Sequence, residues 1–302
     1  MSRPVEVEVE GRPLRLSNLD KVLYPKVGFT KAAVIDYYTR AAPALLPHLR
    51  GRPLTLKRYP NGVEGGHFYE KQCPSHRPEW VRTAPIAIRS EDRIVNFCLA
   101  DDLATLVWLA NLADLELHTS LSLATPIERP TAMVFDLDPG PPADVLTCAR
   151  VALALRDLLE PLGLEGLAKT SGSKGLQVYF PLNVETSYAE TKPFAQAVAQ
   201  LLERRHPELV VSSMRKSLRE GKVLVDWSQN DQHKTTVNVY SLRARERPTV
   251  STPVAWEELE AALAACAPER LTFDSEAVLA RIAERGDLFA PLLEWEQPLP
   301  RL

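Results

Sequence analysis

The stretch Val134-Phe135-Asp136-Leu137-Asp138-Pro139-Gly140 decides how the rest of the chain is read. Ala132 to Leu137 is a short apolar run that stops at Pro139-Gly140, the pattern of a buried strand entering a turn. Residues i and i+2 of a strand face the same way, so Asp136 and Asp138 are expected side by side at its end. Two carboxylates that close repel and lose hydration unless a cation neutralises them. Hard divalent ions with oxygen ligands suit such a pair. The plainer reading is a turn in which Asp138 caps Asp-Pro-Gly.

A second apolar run also ends in an acid, Lys222-Val223-Leu224-Val225-Asp226-Trp227. A third strand-end carboxylate beside a DxD pair is what a two-metal site needs, the ions standing about 3.5–4 Å apart. Between them lies Lys169-Thr170-Ser171-Gly172-Ser173-Lys174-Gly175-Leu176-Gln177-Val178. Small residues let backbone N–H groups approach a phosphate, hydroxyls donate, and lysine adds charge. The Walker A spacing is absent and a strand follows, so a plain Gly/Ser turn stays open. Leu56-Lys57-Arg58-Tyr59 and His67-Phe68-Tyr69-Glu70-Lys71 interleave bases and aromatics, suited to stacking on nucleobases or to a core. Arg215, Lys216, Arg219 and Lys222 precede Asp226, and Arg243, Arg245 and Arg247 follow.

Patterning elsewhere predicts a hairpin over 1–16 about Gly11-Arg12 and a helix over 30–46 capped by Thr30. Strands are expected at 53–58, 176–182, 223–226 and 235–239. A second hairpin spans 86–97 with a charged tip at 89–93. Helices are expected at 101–115, 143–159, 187–205, 255–265 and 275–285. Strands and helices mix without βαβ alternation, which predicts an α+β fold with mainly antiparallel sheet flanked by helices, two lobes in one compact unit. The expected organisation is a single domain over 1–302: a part to about 115, a site part over 116–250 and a helical part from 251.

The 302 residues carry a net charge of −3, 45% apolar and 25% charged residues, which excludes whole-chain disorder and coiled coil. No apolar run is long enough for a membrane span and Met1 to Glu10 lacks a signal-peptide core, so a cytoplasmic protein is expected. Cys73, Cys98, Cys148 and Cys266 form no CxxC pair and are expected as free thiols, with a disulfide or zinc site as the alternative. Residues 1–60 hold 11 Lys/Arg against 5 Asp/Glu, while 251–302 hold 4 against 10. Such asymmetry fits a basic face for a polyanion, or ordinary solvated charge.

In order, DLDPG, TSGSKGLQVYFPL and VLVDWSQND resemble the polymerase domain of bacterial ATP-dependent DNA ligase D, a branch of the archaeo-eukaryotic primase superfamily. The resemblance runs from LSNLDKVLYP to SLRARERPTVSTPVAWEEL, with no ligase nucleotidyl-lysine motif or nuclease domain apparent. A stand-alone or excised polymerase domain with a primase-polymerase fold is therefore expected.

The resemblance implies Asp136, Asp138 and Asp226 as catalytic ligands of two Mn²⁺ or Mg²⁺ ions. It implies Ser171, Lys174, Arg219 and Arg243 on the NTP phosphates, His118 on the sugar, Lys57 near the nucleotide and Phe68 stacking on a base. Asn18, Lys21 and Lys31 match a pocket for a DNA 5′-phosphate. Gln177 stands where the family motif has histidine and is expected to bind the nucleotide; it can donate an N–H to a phosphate but carries no charge. The implied activity is template-dependent addition of NTPs, ribonucleotides preferred, to the 3′-OH of DNA at gaps or break ends in non-homologous end joining. Implied partners are DNA with a gap or 3′ overhang and a 5′-phosphate, a Ku-type end binder and an ATP-dependent DNA ligase, at the nucleoid. Two other readings remain: a phosphatase using the first Asp of DxD, which Pro139-Gly140 disfavours, and a non-catalytic binder of 5′-phosphorylated DNA ends.

Overall fold

The computed structural model describes residues 3–88 and 92–300. The chain divides into two units that interleave along the sequence. The first comprises Met1–Ser120, Thr235–Val250 and Asp274–Gly286; the second comprises Leu121–Lys234, Ser251–Phe273 and Asp287–Leu302. Each unit carries one large, mainly antiparallel sheet with helices, so the α+β class holds.

In the first unit the sheet runs Thr236–Val237, Asp114–Thr119, Leu54–Arg58, Arg93–Cys98, Thr83–Ile88, and Phe68–Glu70 also pairs with Leu54–Arg58. Val5–Val9 and Arg12–Leu16 form the expected hairpin. Thr30 caps the helix Lys31–Leu49 by accepting from the Ala33 N–H, a cap worth about 1 kcal/mol. Val34, Tyr37, Tyr38 and Ala41 are its buried stripe. The hairpin Thr83–Ile88 and Arg93–Cys98 is present, and tip residues 89–91 lie outside the described residues.

Two expectations are corrected in this unit. The helix expected over 101–115 ends early, at Leu103–Asn111, and Asp114–Thr119 is a strand. Ala113 takes a left-handed φ of 58°, which turns the chain out of the helix. The period-2 alternation of Asp114-Leu115-Glu116-Leu117-His118 was the signal, masked by the apolar helix before it. Cys73 and Cys98, expected as free thiols, are joined in a disulfide. The Cys73 N–H donates to the Asn96 carbonyl at 2.7 Å, which lays Cys73 beside the strand that Cys98 ends. Linear spacing carries no trace of that neighbour, and the pairing removes the thiols as an argument for a reducing compartment. Cys148 and Cys266 are free.

In the second unit the order is Val210–Val211, Val223–Asp226, Ala132–Pro139, Leu176–Pro181, Leu167–Thr170, Pro253–Val254, with only the first pair parallel. One face of this sheet is apolar: Met133, Phe135 and Leu137, then Leu176, Val178 and Phe180, then Val223 and Val225. It packs with Val151 and Leu155 of helix Val145–Leu159 and Phe194 and Val198 of helix Tyr188–Arg205. Each such side chain contributes about 1.5–3 kcal/mol on burial. Asp144 and Ser187 begin these helices with capping boxes to Thr147 and Glu190. Burying the odd-numbered residues of 133–137 leaves Asp136 and Asp138 on the opposite face. No helix among the described residues is long and apolar enough to cross a membrane.

Candidate active site

Strand register gathers the three predicted carboxylates. Asp136 lies directly opposite Asp226 in the antiparallel pair, and Asp138 lies opposite Leu224. Directly opposed residues share a face with Cβ atoms about 4.5–5.5 Å apart, so all three aspartates project from one face. On its other side Asp136 is opposite Gln177, and Gln177 is opposite Lys169. A polar row, Asp226, Asp136, Gln177, Lys169, thus crosses four strands.

The VLVDWSQND segment holds one end of this row. The Asp226 carboxylate accepts from the Ser228 N–H (2.9 Å) and hydroxyl (2.6 Å) at Oδ1 and from the Gln229 amide at Oδ2 (2.8 Å). Buried Asn230 clips the turn to the central strand, accepting from the Val134 N–H (2.9 Å) and donating to its carbonyl (2.7 Å). At the other end Lys169, 1% exposed, donates to Gln177 Oε1 and Ser251 Oγ, both at 2.6 Å. With its carbonyl taken, Gln177 turns its amide N–H to Asp136.

Burial, then the charges of Asp138 and Asp226, push the Asp136 carboxyl up to about 7, against the smaller pull of Gln177 and Lys169. Among the described residues no three His, Cys, Asp or Glu side chains form a ready ion cage. The backbone register sets the three aspartates on one face. The donor chemistry nevertheless fits a hard divalent cation. All three side chains offer hard oxygens, Asp226 Oδ2 accepts a single hydrogen bond against the two at Oδ1, and the mutual repulsion of the three carboxylates is what a cation relieves.

Backbone packing around the row is tight. A Cβ on Gly175 would stand 2.1 Å from the Leu137 carbonyl oxygen, and one on Gly140 1.9 Å from that of Arg219. Beside them a cleft of about 310 Å³ is lined by Pro139, Asp144, Thr170, Ser173, Lys174 and Gly175. Ser171 ties its own loop, accepting from the Ser173 N–H (3.3 Å) and Gly175 N–H (3.2 Å), while Lys174 is exposed. Arg219 is half-buried and donates to the Met214 carbonyl at 2.7 Å.

The other predicted nucleotide residues belong to the first unit, where Lys57, His118 and Arg243 converge on a residue the sequence reading did not select. Glu116, 2% exposed, is hydrogen-bonded at Oε2 to Lys57 Nζ (3.2 Å) and His118 Nε2 (3.1 Å), and Arg243 forms an ion pair with the same oxygen, its Nε at 3.2 Å. Its Oε1 accepts from the Tyr59 hydroxyl (3.2 Å) and the Ala244 N–H (3.1 Å). Burial alone would raise the Glu116 carboxyl. The His118 hydrogen bond and the Arg243 and Lys57 charges outweigh it and hold the group well below its usual range. Phe68 and Tyr69, ambiguous between core and surface in the sequence, are exposed, with the Arg58 guanidinium over the Phe68 ring and Lys57 over Tyr69.

Lys21 is half-buried and donates to Asn61 Oδ1 at 3.1 Å. Lys31 is buried, donates to the Asn111 carbonyl at 2.8 Å, and has its pKa lowered by burial and then by the Lys21 and Arg58 charges. Asn18, in the same segment, has a left-handed φ of 53°.

The family model described as LigD, primase-polymerase domain matches residues 30–289. The chain belongs to the LigD primase-polymerase family. It is 45% identical over 285 residues to the multifunctional non-homologous end joining protein LigD of Mycobacterium bovis, covering 92% of this chain and 36% of that one. It is 34% identical over 274 residues to the bifunctional LigD of Bacillus subtilis, covering 90% and 43%. The chain thus spans less than half the length of these LigD proteins. The solved polymerase domain of Mycobacterium tuberculosis ligase D in complex with DNA superposes with a TM-score of 0.85 at 42% identity, covering 92% of this chain and 97% of that domain.

Proposed function

We propose that this LigD primase-polymerase chain is a nucleotidyltransferase that extends the 3′-OH of DNA at gaps and break ends with NTPs, ribonucleotides preferred, in non-homologous end joining. The observation that carries the reading is the register that puts Asp136, Asp138 and Asp226 on one face of one sheet. These three would hold two Mn²⁺ or Mg²⁺ ions, which when bound supply the charge that activates an attacking hydroxyl and neutralises a leaving phosphate.

The chain's own residues bind and orient. Ser171, Lys174 and Arg219 of the second unit, and Arg243 of the first, are the donors and charges for nucleotide phosphates, and Lys57 is a group near the nucleotide. Gln177 orients Asp136, His118 meets the sugar and exposed Phe68 offers a stacking face. None of these groups reads base identity, so template pairing selects the base. Asn18, Lys21 and Lys31 form the site for a 5′-phosphate. Since Lys31 is buried, the phosphate seats against it rather than being reached for. The superposed mycobacterial domain in complex with DNA supports DNA as the partner. A Ku-type end binder and an ATP-dependent ligase complete the proposed system, with the chain at the nucleoid.

The test is incorporation of labelled rNTP or dNTP on a gapped duplex, with and without a 5′-phosphate, in Mn²⁺ and in Mg²⁺. Incorporation that needs a divalent ion and improves with the 5′-phosphate is expected. Tight binding of the phosphorylated end with no incorporation in either metal would leave only an end-binding module.

A further inference from the structure

His118 and Glu116 sit on one strand, two residues apart, and share a face. An ionised carboxylate only accepts hydrogen bonds, so at 3.1 Å from Glu116 Oε2 the Nε2 of His118 must carry the proton. Burial and the Arg243 and Lys57 charges lower the His118 pKa, outweighing the opposing pull of Glu116, so the ring is neutral near pH 7. A neutral ring protonated at Nε2 has a lone pair at Nδ1, which meets no hydrogen-bond partner among the described residues. The ring is held from the side by the edge of Tyr69, centroids 5.9 Å apart. The same Glu116 oxygen anchors Lys57 and Arg243, so one carboxylate arranges two cations and one acceptor.

We infer that Glu116 is a positioning residue that locks His118 in the Nε2–H tautomer and thereby makes Nδ1 a hydrogen-bond acceptor for a sugar hydroxyl of the bound nucleotide. This rests on the nucleotidyltransferase reading and adds to it a device for choosing ligands. The pair of cations takes the anionic end of a phosphorylated sugar. The acceptor rewards a hydroxyl and leaves an analogue lacking it with one unmade bond. A histidine protonated on Nδ1, or doubly protonated, would offer a donor at that atom and lose this preference.

Two measurements on the full chain test it. Long-range ¹⁵N–¹H NMR at pH 7.5, with His118 assigned by comparison with His118→Gln, should show an unprotonated Nδ1 and a protonated Nε2. Proton on Nδ1 would overturn the inference whatever the variants do. Binding of ATP, 2′-deoxy-ATP and 3′-deoxy-ATP is then compared in wild type, Glu116→Gln and Glu116→Ala. Wild type should bind one deoxy analogue roughly tenfold more weakly than ATP. Glu116→Gln keeps a carbonyl acceptor for Nε2–H, so it should weaken all three ligands while keeping the ratio. Glu116→Ala should bring the ratio towards one. Equal binding of all three ligands by wild type, or an unchanged ratio in Glu116→Ala, would sink the positioning role. Absence of any nucleotide binding by wild type would instead bring down the nucleotidyltransferase reading, and Lys57→Ala, expected to weaken ATP, separates the two failures.

Discussion

Asp136 in the second unit and Glu116 in the first are both strand carboxylates drawn away from water, and their protons are held in opposite directions. Around Asp136 the nearest charges are like ones, Asp138 and Asp226, and they add to burial in pushing its carboxyl up to about 7. Around Glu116 stand His118, Arg243 and Lys57, and they overcome burial to hold it well below its usual range. Desolvation acts the same way on both, so the sign of the neighbours decides. A carboxylate ringed by its own chain's cations is internally satisfied and serves as a scaffold. A cluster of carboxylates whose repulsion is only partly offset, through Gln177 and Lys169, favours a proton or a divalent cation from outside.

The strongest way to break the comparison is Asp136→Asn. Nucleotide incorporation should fall on the order of a thousandfold or more, because one ligand of the proposed metal centre loses its charge. The fold should respond oppositely. A carboxyl whose folded pKa lies above its unfolded value of about 3.9 stabilises the native state at low pH and loses that contribution as pH rises through about 7. In EDTA, Asp136→Asn should therefore be more stable than wild type at pH 8, by about 1–3 kcal/mol, and little different at pH 4. Thermal melts at both pH values, beside primer-extension assays, check this; a variant that is inactive and also less stable at pH 8 would mean the repulsion is not there.

Glu116→Ala should move stability the other way. Removing one member of a buried charge set costs about 3–5 kcal/mol, here through stranding Lys57, His118 and Arg243. Because the folded pKa of Glu116 is depressed, its contribution is complete above the unfolded value of about 4.3 and is lost as pH falls below that. The gap between wild type and Glu116→Gln in urea titrations should thus narrow from pH 6 to pH 3. A constant gap would show that Glu116 matters by shape and not by charge.

Gly175→Ala sharpens the comparison by disturbing only the carboxylate side. Its Cβ would meet the Leu137 carbonyl at 2.1 Å, and neither backbone can yield cheaply, so a loss of about 1–3 kcal/mol is expected. Nucleotide incorporation should drop with it, because Leu137 lies between Asp136 and Asp138. Full activity in a destabilised Gly175→Ala would uncouple that packing from the site.

The two regions also differ in how much of them the sequence disclosed. The aspartates were legible because strand alternation is local: Val134 to Asp138 states its own faces, and Val223 to Asp226 repeats the pattern. What brings the strands into register is long-range pairing; the sequence offers Asp226 only as a third strand-end carboxylate, to which the family resemblance adds its match to a metal-binding motif. Lys169 was visible as a lysine in a Gly/Ser loop; its burial behind Gln177 was not, because the Leu167–Thr170 strand is short and its partner Ser251 lies far along the chain. Glu116 falls just past the helix expected over 101–115, and the apolar helix pattern before it hides the alternation of Leu115, Glu116 and Leu117 that marks it as a strand residue beside His118. The Cys73–Cys98 pairing had no local signal at all.

The smallest expected effect concerns a third charge arrangement, cations beside cations. Lys31 is buried near Lys21 and Arg58, which lower its pKa after burial does, so an anion seated there would relieve like-charge repulsion as an outside cation would among the aspartates. Lys21→Ala removes one half-buried charge and leaves the buried Lys31 and its bond to the Asn111 carbonyl in place. Binding of a 5′-phosphorylated gapped duplex should weaken several-fold, and the slope of log affinity against log salt should fall by about one. Binding of the same duplex without its 5′-phosphate should change much less. If both duplexes lose affinity equally, Lys21 contributes only general attraction to the DNA backbone and the phosphate seat lies elsewhere. If neither changes, the cationic cluster at Lys21, Lys31 and Arg58 faces no DNA, and its burial cost belongs to the fold alone.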